Sequence, residues 1–239
     1  MKDKFSTKLI VSNYNTDLEW LKMTYNYGFS PENTIIYDRS DETKDWSNLG
    51  KSITSPNVGE NIYDMMRFII ENYEDLPDIS IFVKGNLLSK PGNSDGSSYY
   101  YTYPDRFIRA IQSNYFLPIE RDCPVTNIFV NGGGYVERTW TPDSNIPRKY
   151  FSSFYELLNL LFVNPVNPEY IRFAPGGNYV VPKQNILKFS KNFYLKLKLF
   201  SSHHDENDIT GHSTCAEAYL IERLLYMMWT EDLIEKEDL

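Results

Sequence analysis

Residues Ile79 to Val83 form an apolar run interrupted only by Ser80, too short for a helix and ending abruptly at Lys84-Gly85-Asn86. Such a run fits a strand covered on both faces, which belongs in a largely parallel sheet. The preceding residues agree. Ile62, Met65, Met66, Ile69 and Ile70 recur at the spacing of one helical face, with Glu60, Asn61, Asp64, Arg67 and Glu71 on the other, so this helix is expected to pack on one side only. Leu76-Pro77-Asp78 stops it. In an open α/β sheet the ligand crevice lies beyond the carboxyl ends of the strands, which makes Lys84, Gly85 and Asn86 candidate contacts.

The rest of the chain repeats the alternation. Leu9 to Ser12 reads as a strand leading through a polar loop to a helix capped by Thr16 or Asp17. Asn33 to Asp38 is a second strand ending in an acid, and Arg39 to Ser55 reads as loop. Lys90 to Ser98, rich in Gly, Ser and Asn, opens into Tyr99 to Tyr103 and reads as a lid loop. Pro104 to Asn114 is helix-like, and Val125 to Val130 is a strand. Asn131-Gly132-Gly133-Gly134 then precedes an alternating segment, so it reads as a hairpin turn rather than a phosphate loop. Phe151 to Phe162 and Lys183 to Leu199 read as helices. Between them Phe173 to Pro182 is a turn into a strand, with Gly176 and Gly177 able to bring backbone close to a ligand. Glu231 to Leu239 reads as a frayed acidic tail. Strands alternating with helices give an α/β fold, a single domain over residues 1–239 whose mainly parallel or mixed sheet is flanked by helices on both faces.

Composition narrows the function. A formal net charge of −8 argues against nonspecific nucleic-acid binding, which needs a basic surface. It still permits a nucleotide held by local dipoles and a few cations. No apolar stretch approaches the roughly 20 residues of a membrane span, and the first strand begins too early for a signal peptide, so a cytoplasmic protein is expected. Cys123 and Cys215 make no C-x-x-C spacing and read as reduced, buried thiols.

Two constellations carry possible chemistry. His203, His204 and His212 fall in one segment with Asp205, Glu206 and Asp208, a set in which one imidazole and a carboxylate would suit Mn²⁺ or Mg²⁺. His212, beside a helix start, is the preferred ligand. That helix begins at Thr214, spaced from Glu217 as in a capping box, with an apolar stripe of Ala218, Ile221, Leu224, Leu225 and Met228. Glu217 is either a cap or, if partly desolvated at a crevice rim, a base for a sugar hydroxyl. Glu222 and Arg223 cannot share a face, and Arg223 points away from the stripe unless another element covers it.

Three segments carry a resemblance: Val11 to Leu21, Pro56 to Asn86, and Glu217 to Trp229 with Glu222-Arg223. Together they resemble the domain-of-unknown-function family numbered 3431 and related giant-virus proteins, whose fold looks like a GT-A glycosyltransferase. The resemblance implies a nucleotide-sugar donor and a glycan acceptor. Asn13, Asn15 and Asp17 would then contact the nucleotide. Asn57, Lys84, Gly85, Asn86, Gly176 and Gly177 would complete the donor site, Lys84 lying near the diphosphate. A divalent ion would rest on Asp38 and Asp41 or the His212 region, or Lys84 would replace it as a point charge. Glu217 would be the base, and a viral member would work in the host cytoplasm. The alternatives are a silent carbohydrate-binding or interaction module of the same fold and metal-assisted hydrolysis by the histidine cluster.

Overall fold

A computed structural model describes residues 5–42, 44–88, 102–119, 127–132, 134, 136, 149–202 and 216–237. The chain is an α/β protein whose residues group into two compact units. The first comprises Met1–Asn57, Glu71–Pro124 and Ala174–Leu187; the second comprises Val58–Ile70, Val125–Phe173 and Lys188–Leu239.

The first unit is built on strands β1 (Thr7–Asn13), β2 (Thr34–Asp38), β3 (Lys51–Thr54), β4 (Ile79–Lys84), β5 (Leu117–Pro118) and β8 (Tyr179–Pro182). Their order is β3-β2-β1-β4-β8-β5, with β1 to β4 parallel and β8 antiparallel to both β4 and β5. Val11 stands opposite Ile36 on one side and Val83 on the other. Leu9, Val11, Ile36, Ile81, Val83 and Val180 bury one face in a single cluster. Leu18 and Leu21, from a 3-10 helix over Glu19–Tyr27 and the residue before it, join them, as do Phe107 and Ile111 of α2 (Pro104–Ile111). Ile10, Tyr37, Phe82, Tyr179 and Val181, of opposite parity, are buried too. Both faces are therefore shielded from water, which is why Ile79 to Val83 shows no alternation.

The helix expected after β1 is 3-10 rather than α, and the Asp17 side chain accepts from the Glu19 N–H at 3.0 Å to start it. Within Arg39 to Ser55, expected to be loop, Lys51–Thr54 is a strand instead. It is an edge strand, largely exposed, so it lacks the apolar signal that marks a covered one.

Entry to β1 and β4 is clasped. The Ser6 N–H and Oγ both donate to Asp78 Oδ2, at 2.8 and 2.9 Å, and the Asp78 N–H returns a bond of 2.9 Å to Ser6 Oγ. The Ser6 backbone N–H, then its hydroxyl, hold the Asp78 carboxyl below the usual carboxylate range. Folding therefore weakens proton binding at Asp78, so its contribution to stability is present above the ordinary carboxylate pKa and lost as pH falls through the lower folded value. Melts of the wild type and Asp78→Asn across pH 2 to 7 should show a wild-type advantage near neutrality that closes in acid; a gap independent of pH would refute the linkage.

The second unit contains α1 (Glu60–Glu71) up to Ile70, β6 (Asn127–Phe129), α3 (Phe154–Leu161), β7 (Tyr170–Arg172), α5 (Lys191–Ser201) and α6 (Ala216–Thr230). β6 and β7 pair antiparallel, and a bridge from Val130 to Val136 agrees with the hairpin expected around the glycines. α6 packs against α5 and β7. Ser153 starts α3 by accepting from the Glu156 N–H, three residues later than the periodicity implies. Ser190 does the same for α5, so the expected Lys183 to Leu199 helix is two pieces, the first being α4 (Lys183–Ile186) of the first unit.

Two expectations need correction, those for α1 and for the acidic tail, and the open reading of Arg223 is decided. α1 does not bury one side only: Asn61 and Asp64 are buried along with its apolar face. Arg223, expected to point away from the stripe unless another element covers it, is covered: it is fully buried, its guanidinium 4.9 Å from the Phe173 ring centre and donating to the Tyr219 carbonyl at 2.6 Å. Its neighbour Glu222 is buried as well. The acidic tail is not frayed through its first half, because Ile234, Glu235 and Lys236 pair with Leu161 to Val163 and the Glu235 carboxylate accepts from the Ser190 N–H at 2.8 Å.

The Asn57-Val58-Gly59 triplet enters α1 by way of a left-handed Gly59 at φ +61°, where a Cβ would fall 2.3 Å from the Ser201 carbonyl oxygen. Only glycine fits there. Among the described residues no helix is long and apolar enough to cross a membrane. The expected lid up to Tyr101, the histidine cluster, Thr214 and both cysteines lie outside the described residues.

Candidate functional site

Because β1 has β2 on one flank and β4 on the other, the connections leaving them diverge at their carboxyl ends. This is the switch point at which open α/β sheets form a crevice. Two strand ends meet there through Asn13 and Asp38, opposite each other in the register.

Asp38 is buried, and its carboxylate is used inward. Oδ1 accepts from Asn13 Nδ2 at 3.2 Å, from the Ser40 N–H at 3.2 Å and from Ser40 Oγ at 2.6 Å, while Oδ2 accepts from Trp46 Nε1 at 3.0 Å. The Asp38-Arg39-Ser40 sequence makes this an Asx turn, which carries the chain from β2 back over β1. Ser40 Oγ also accepts from the Asn15 N–H at 2.8 Å. Asn15, left-handed at φ 53°, is locked reciprocally to exposed Asp41: Nδ2 donates to Oδ2 at 2.8 Å, and Oδ1 accepts from the Asp41 N–H at 3.2 Å. Asparagine tolerates that conformation where most residues do not.

Tyr14 completes the outer rim. Its hydroxyl donates to Asp41 Oδ2 at 3.3 Å and meets the Asn57 side chain. Partial burial, then the Asp41 charge, pushes the Tyr14 hydroxyl pKa up against the opposing pull of Arg39 and Asn57.

On the β4 side, the Gly85 N–H donates to the Ser12 carbonyl at 2.8 Å, and its own carbonyl accepts from Trp20 Nε1 at 2.8 Å. The Gly85 Cα faces Asn13 Oδ1 so closely that a Cβ would lie 2.4 Å from that oxygen. Asn13 Oδ1 is buried without a hydrogen-bond partner. The Lys84 N–H donates to Asn178 Oδ1 at 2.8 Å. Asn178 sits where β8 begins, and because β8 runs antiparallel to β4, the turn bearing Gly176 and Gly177 stands at the same edge. Both glycines are left-handed, at φ 79° and 59°. Lys84 and Asn86 are half-buried.

Asn13, Asn15, Asp38, Asp41, Asn57, Lys84, Gly85, Asn86, Gly176 and Gly177 thus come to one edge of one sheet. Asp17 is spent on starting the 3-10 helix. Glu217 belongs to the second unit and is not at a rim: it is fully buried, and Oε1 accepts from the Lys149 and Tyr150 N–H groups at 2.6 and 3.0 Å. That arrangement anchors the chain ahead of α3 and leaves no reason in the geometry to treat Glu217 as a base. Ser40, Trp46, Tyr14 and Asn178 were not legible as parts of the site. Asp-x-Ser after a strand was the one local signal, and it points to Ser40 only.

Among the described residues the donor set does not suit a divalent ion. Asp38 turns its carboxylate to protein donors, and among the described residues no group of three or more His, Cys, Asp or Glu side chains is placed to hold a metal. His212 lies outside the described residues. What the edge does offer is an exposed amide and carboxylate, able to bond hydroxyl and ring N–H groups, beside a lysine and a glycine-bearing turn. No protein-family model, curated protein or solved structure matches this chain.

Proposed function

We propose that this protein binds a nucleotide diphosphate sugar at the carboxyl edge of β1, β2 and β4 and transfers the sugar to a glycan hydroxyl. The observation that carries the reading is the corner itself: Asn15 and Asp41 on one side of the switch point, and Lys84 with Gly85 on the other. Asn15 and Asp41 would bond the nucleoside, whose ribose hydroxyls and ring N–H groups need such donors and acceptors. Lys84 would act as a point charge on the diphosphate, stabilising it as it departs and takes up the proton that the acceptor hydroxyl gives up. The close backbone at Gly85, Gly176 and Gly177 would admit the phosphates. The resemblance of Pro56 to Asn86 to the GT-A-like family supports the same assignment, and no step requires a metal.

One observation favours the second reading, a silent carbohydrate-binding module: the inward engagement of Asp38 removes a carboxylate that a metal-dependent transferase would use. Thermal unfolding with uridine, guanosine and cytidine diphosphates and their sugars, with and without Mn²⁺, separates the two. A ligand at about 100 times its dissociation constant adds about 2.7 kcal/mol, roughly 5 to 10 °C for a chain of this length. The expected result is a rise for one nucleotide class that is lost in Lys84→Ala. No rise with any nucleotide, but one with free glycans, would overturn transfer in favour of the module.

A further inference from the structure

The outer rim of the corner presents its hydrogen-bonding groups in a fixed order. Asn15 Nδ2 donates to Asp41 Oδ2 at 2.8 Å while Asn15 Oδ1 accepts from the Asp41 N–H at 3.2 Å, so the amide can sit only one way round. The Tyr14 hydroxyl donates to the same Oδ2 at 3.3 Å, and Ser40 Oγ holds the Asn15 N–H at 2.8 Å. Both side chains are therefore oriented. Among the described residues Asp41 Oδ1 receives no protein donor, and no lysine or arginine pairs with this carboxylate. The second Asn15 Nδ2 hydrogen is unused in the same way. Asn15 and Asp41 are exposed, so these groups face water.

Because Nδ2 bonds Oδ2 and not Oδ1, the edge runs donor, acceptor, acceptor through Asn15 Nδ2, Asp41 Oδ2 and Asp41 Oδ1. A base that meets it must offer acceptor, donor, donor. Guanine does so with O6, N1–H and the N2 amine. Uracil offers acceptor, donor, acceptor and would set a carbonyl against the Oδ1 charge, while cytosine and adenine would set a ring-nitrogen acceptor against Oδ2. Bonds to a charged acceptor are stronger than neutral ones, and an acceptor facing an acceptor is repelled, so the edge both attracts one base and rejects three. The Tyr14 bond to Oδ2, the longest of the three that Asp41 makes, is the one a ring N–H would replace.

We propose that Asn15 and Asp41 read the base and select guanine, which makes the donor a guanosine diphosphate sugar. This selection rests on the nucleotide reading above, with Lys84 acting on the diphosphate of every base alike. Asp41 is exposed, so replacing it leaves the core untouched.

Calorimetric titration with the diphosphates of guanosine, inosine, xanthosine, uridine, cytidine and adenosine tests it, on the wild type, Asp41→Asn and Lys84→Ala. The wild type should bind guanosine diphosphate at least about tenfold more tightly than the uridine, cytidine and adenosine forms, and about tenfold more tightly than the inosine form, which lacks the N2 amine. In Asp41→Asn the Asn15 Nδ2 keeps the side-chain oxygen at the Oδ2 position, which turns the new NH₂ to the Oδ1 position. The edge then runs donor, acceptor, donor, the complement of xanthine and uracil. This variant should prefer xanthosine or uridine diphosphate to guanosine diphosphate by about tenfold, with its melting midpoint unchanged. Lys84→Ala should weaken every diphosphate and keep the order of bases. Equal binding of all bases by the wild type, or a preference for another base, would overturn the selection and leave the nucleotide reading intact. A guanine preference unchanged in Asp41→Asn would overturn it too. Absence of binding by every diphosphate would overturn both.

Discussion

Asp38→Ala should be among the most destabilising single changes in the first unit, lowering stability by about 3 to 5 kcal/mol and the melting midpoint by roughly 10 °C. The carboxylate is buried and accepts four bonds, from Asn13, Ser40 twice and Trp46. Alanine takes this acceptor from all of these donors, leaving Asn13 Nδ2 only a 3.4 Å bond to Ser40 Oγ. Asn13 and Trp46 are themselves buried, so water cannot readily replace what they lose. Asp38→Asn separates charge from shape: it keeps one acceptor but brings an NH₂ group against protein donors, so it should retain the fold and recover only part of the loss. Chemical denaturation of the three proteins measures this. A loss under about 1 kcal/mol for Asp38→Ala would mean that the Asp38 network is not a structural keystone, and would restore it as a candidate metal ligand.

Gly85→Ala follows from the same corner by a different mechanism. The added methyl would sit 2.4 Å from Asn13 Oδ1, 3.1 Å from Leu18 Cδ2 and 3.3 Å from Asn13 Cα. An oxygen 2.4 Å from carbon is far inside van der Waals contact, and Asn13 cannot swing aside without breaking its bond to Asp38. Overpacking of this kind costs about 1 to 3 kcal/mol. It should also displace the Gly85 carbonyl from Trp20 and the β4 exit from β1, so nucleotide binding should weaken more than stability does. Asn13→Ala removes the obstructing oxygen. The double variant should therefore be less destabilised than the sum of its singles, a coupling of about 1 kcal/mol or more. Strict additivity in denaturant melts would show that the strain lies elsewhere.

How much of this was readable in the chain depends on the range of the interaction. The apolar run of β4, the stripe of α1 and the amphipathic pattern of α2 are local, and each became the expected element. β3 was missed because an exposed edge strand has no hydrophobic period to show. For the site, residue type and position at a strand end were enough to single out Lys84, Gly85 and Asn86, whereas Asn13, Asn15 and Asp38 came only from what the resemblance implies. Their division of labour was not legible. Asp38 was a candidate metal ligand only through the resemblance, and is a structural acceptor because Asn13, 25 residues earlier, stands opposite it. Glu217 reads as a cap or a base, and its actual partners, the Lys149 and Tyr150 N–H groups, lie nearly seventy residues away.

The sequence by itself determined the α/β class, the strands that must be covered on both faces, and the edge of the sheet where polar residues would gather, because side-chain periodicity and strand direction are properties of short segments. Only the tertiary structure decided which polar side chains are buried: Asp38, Asn61, Asp64, Glu217 and Arg223 all belong to segments that would be solvated in isolation. The physical reason is that burying a polar group is tolerable only with a partner, and for Asp38 and Glu217 those partners come from other segments, brought together when the apolar faces pack.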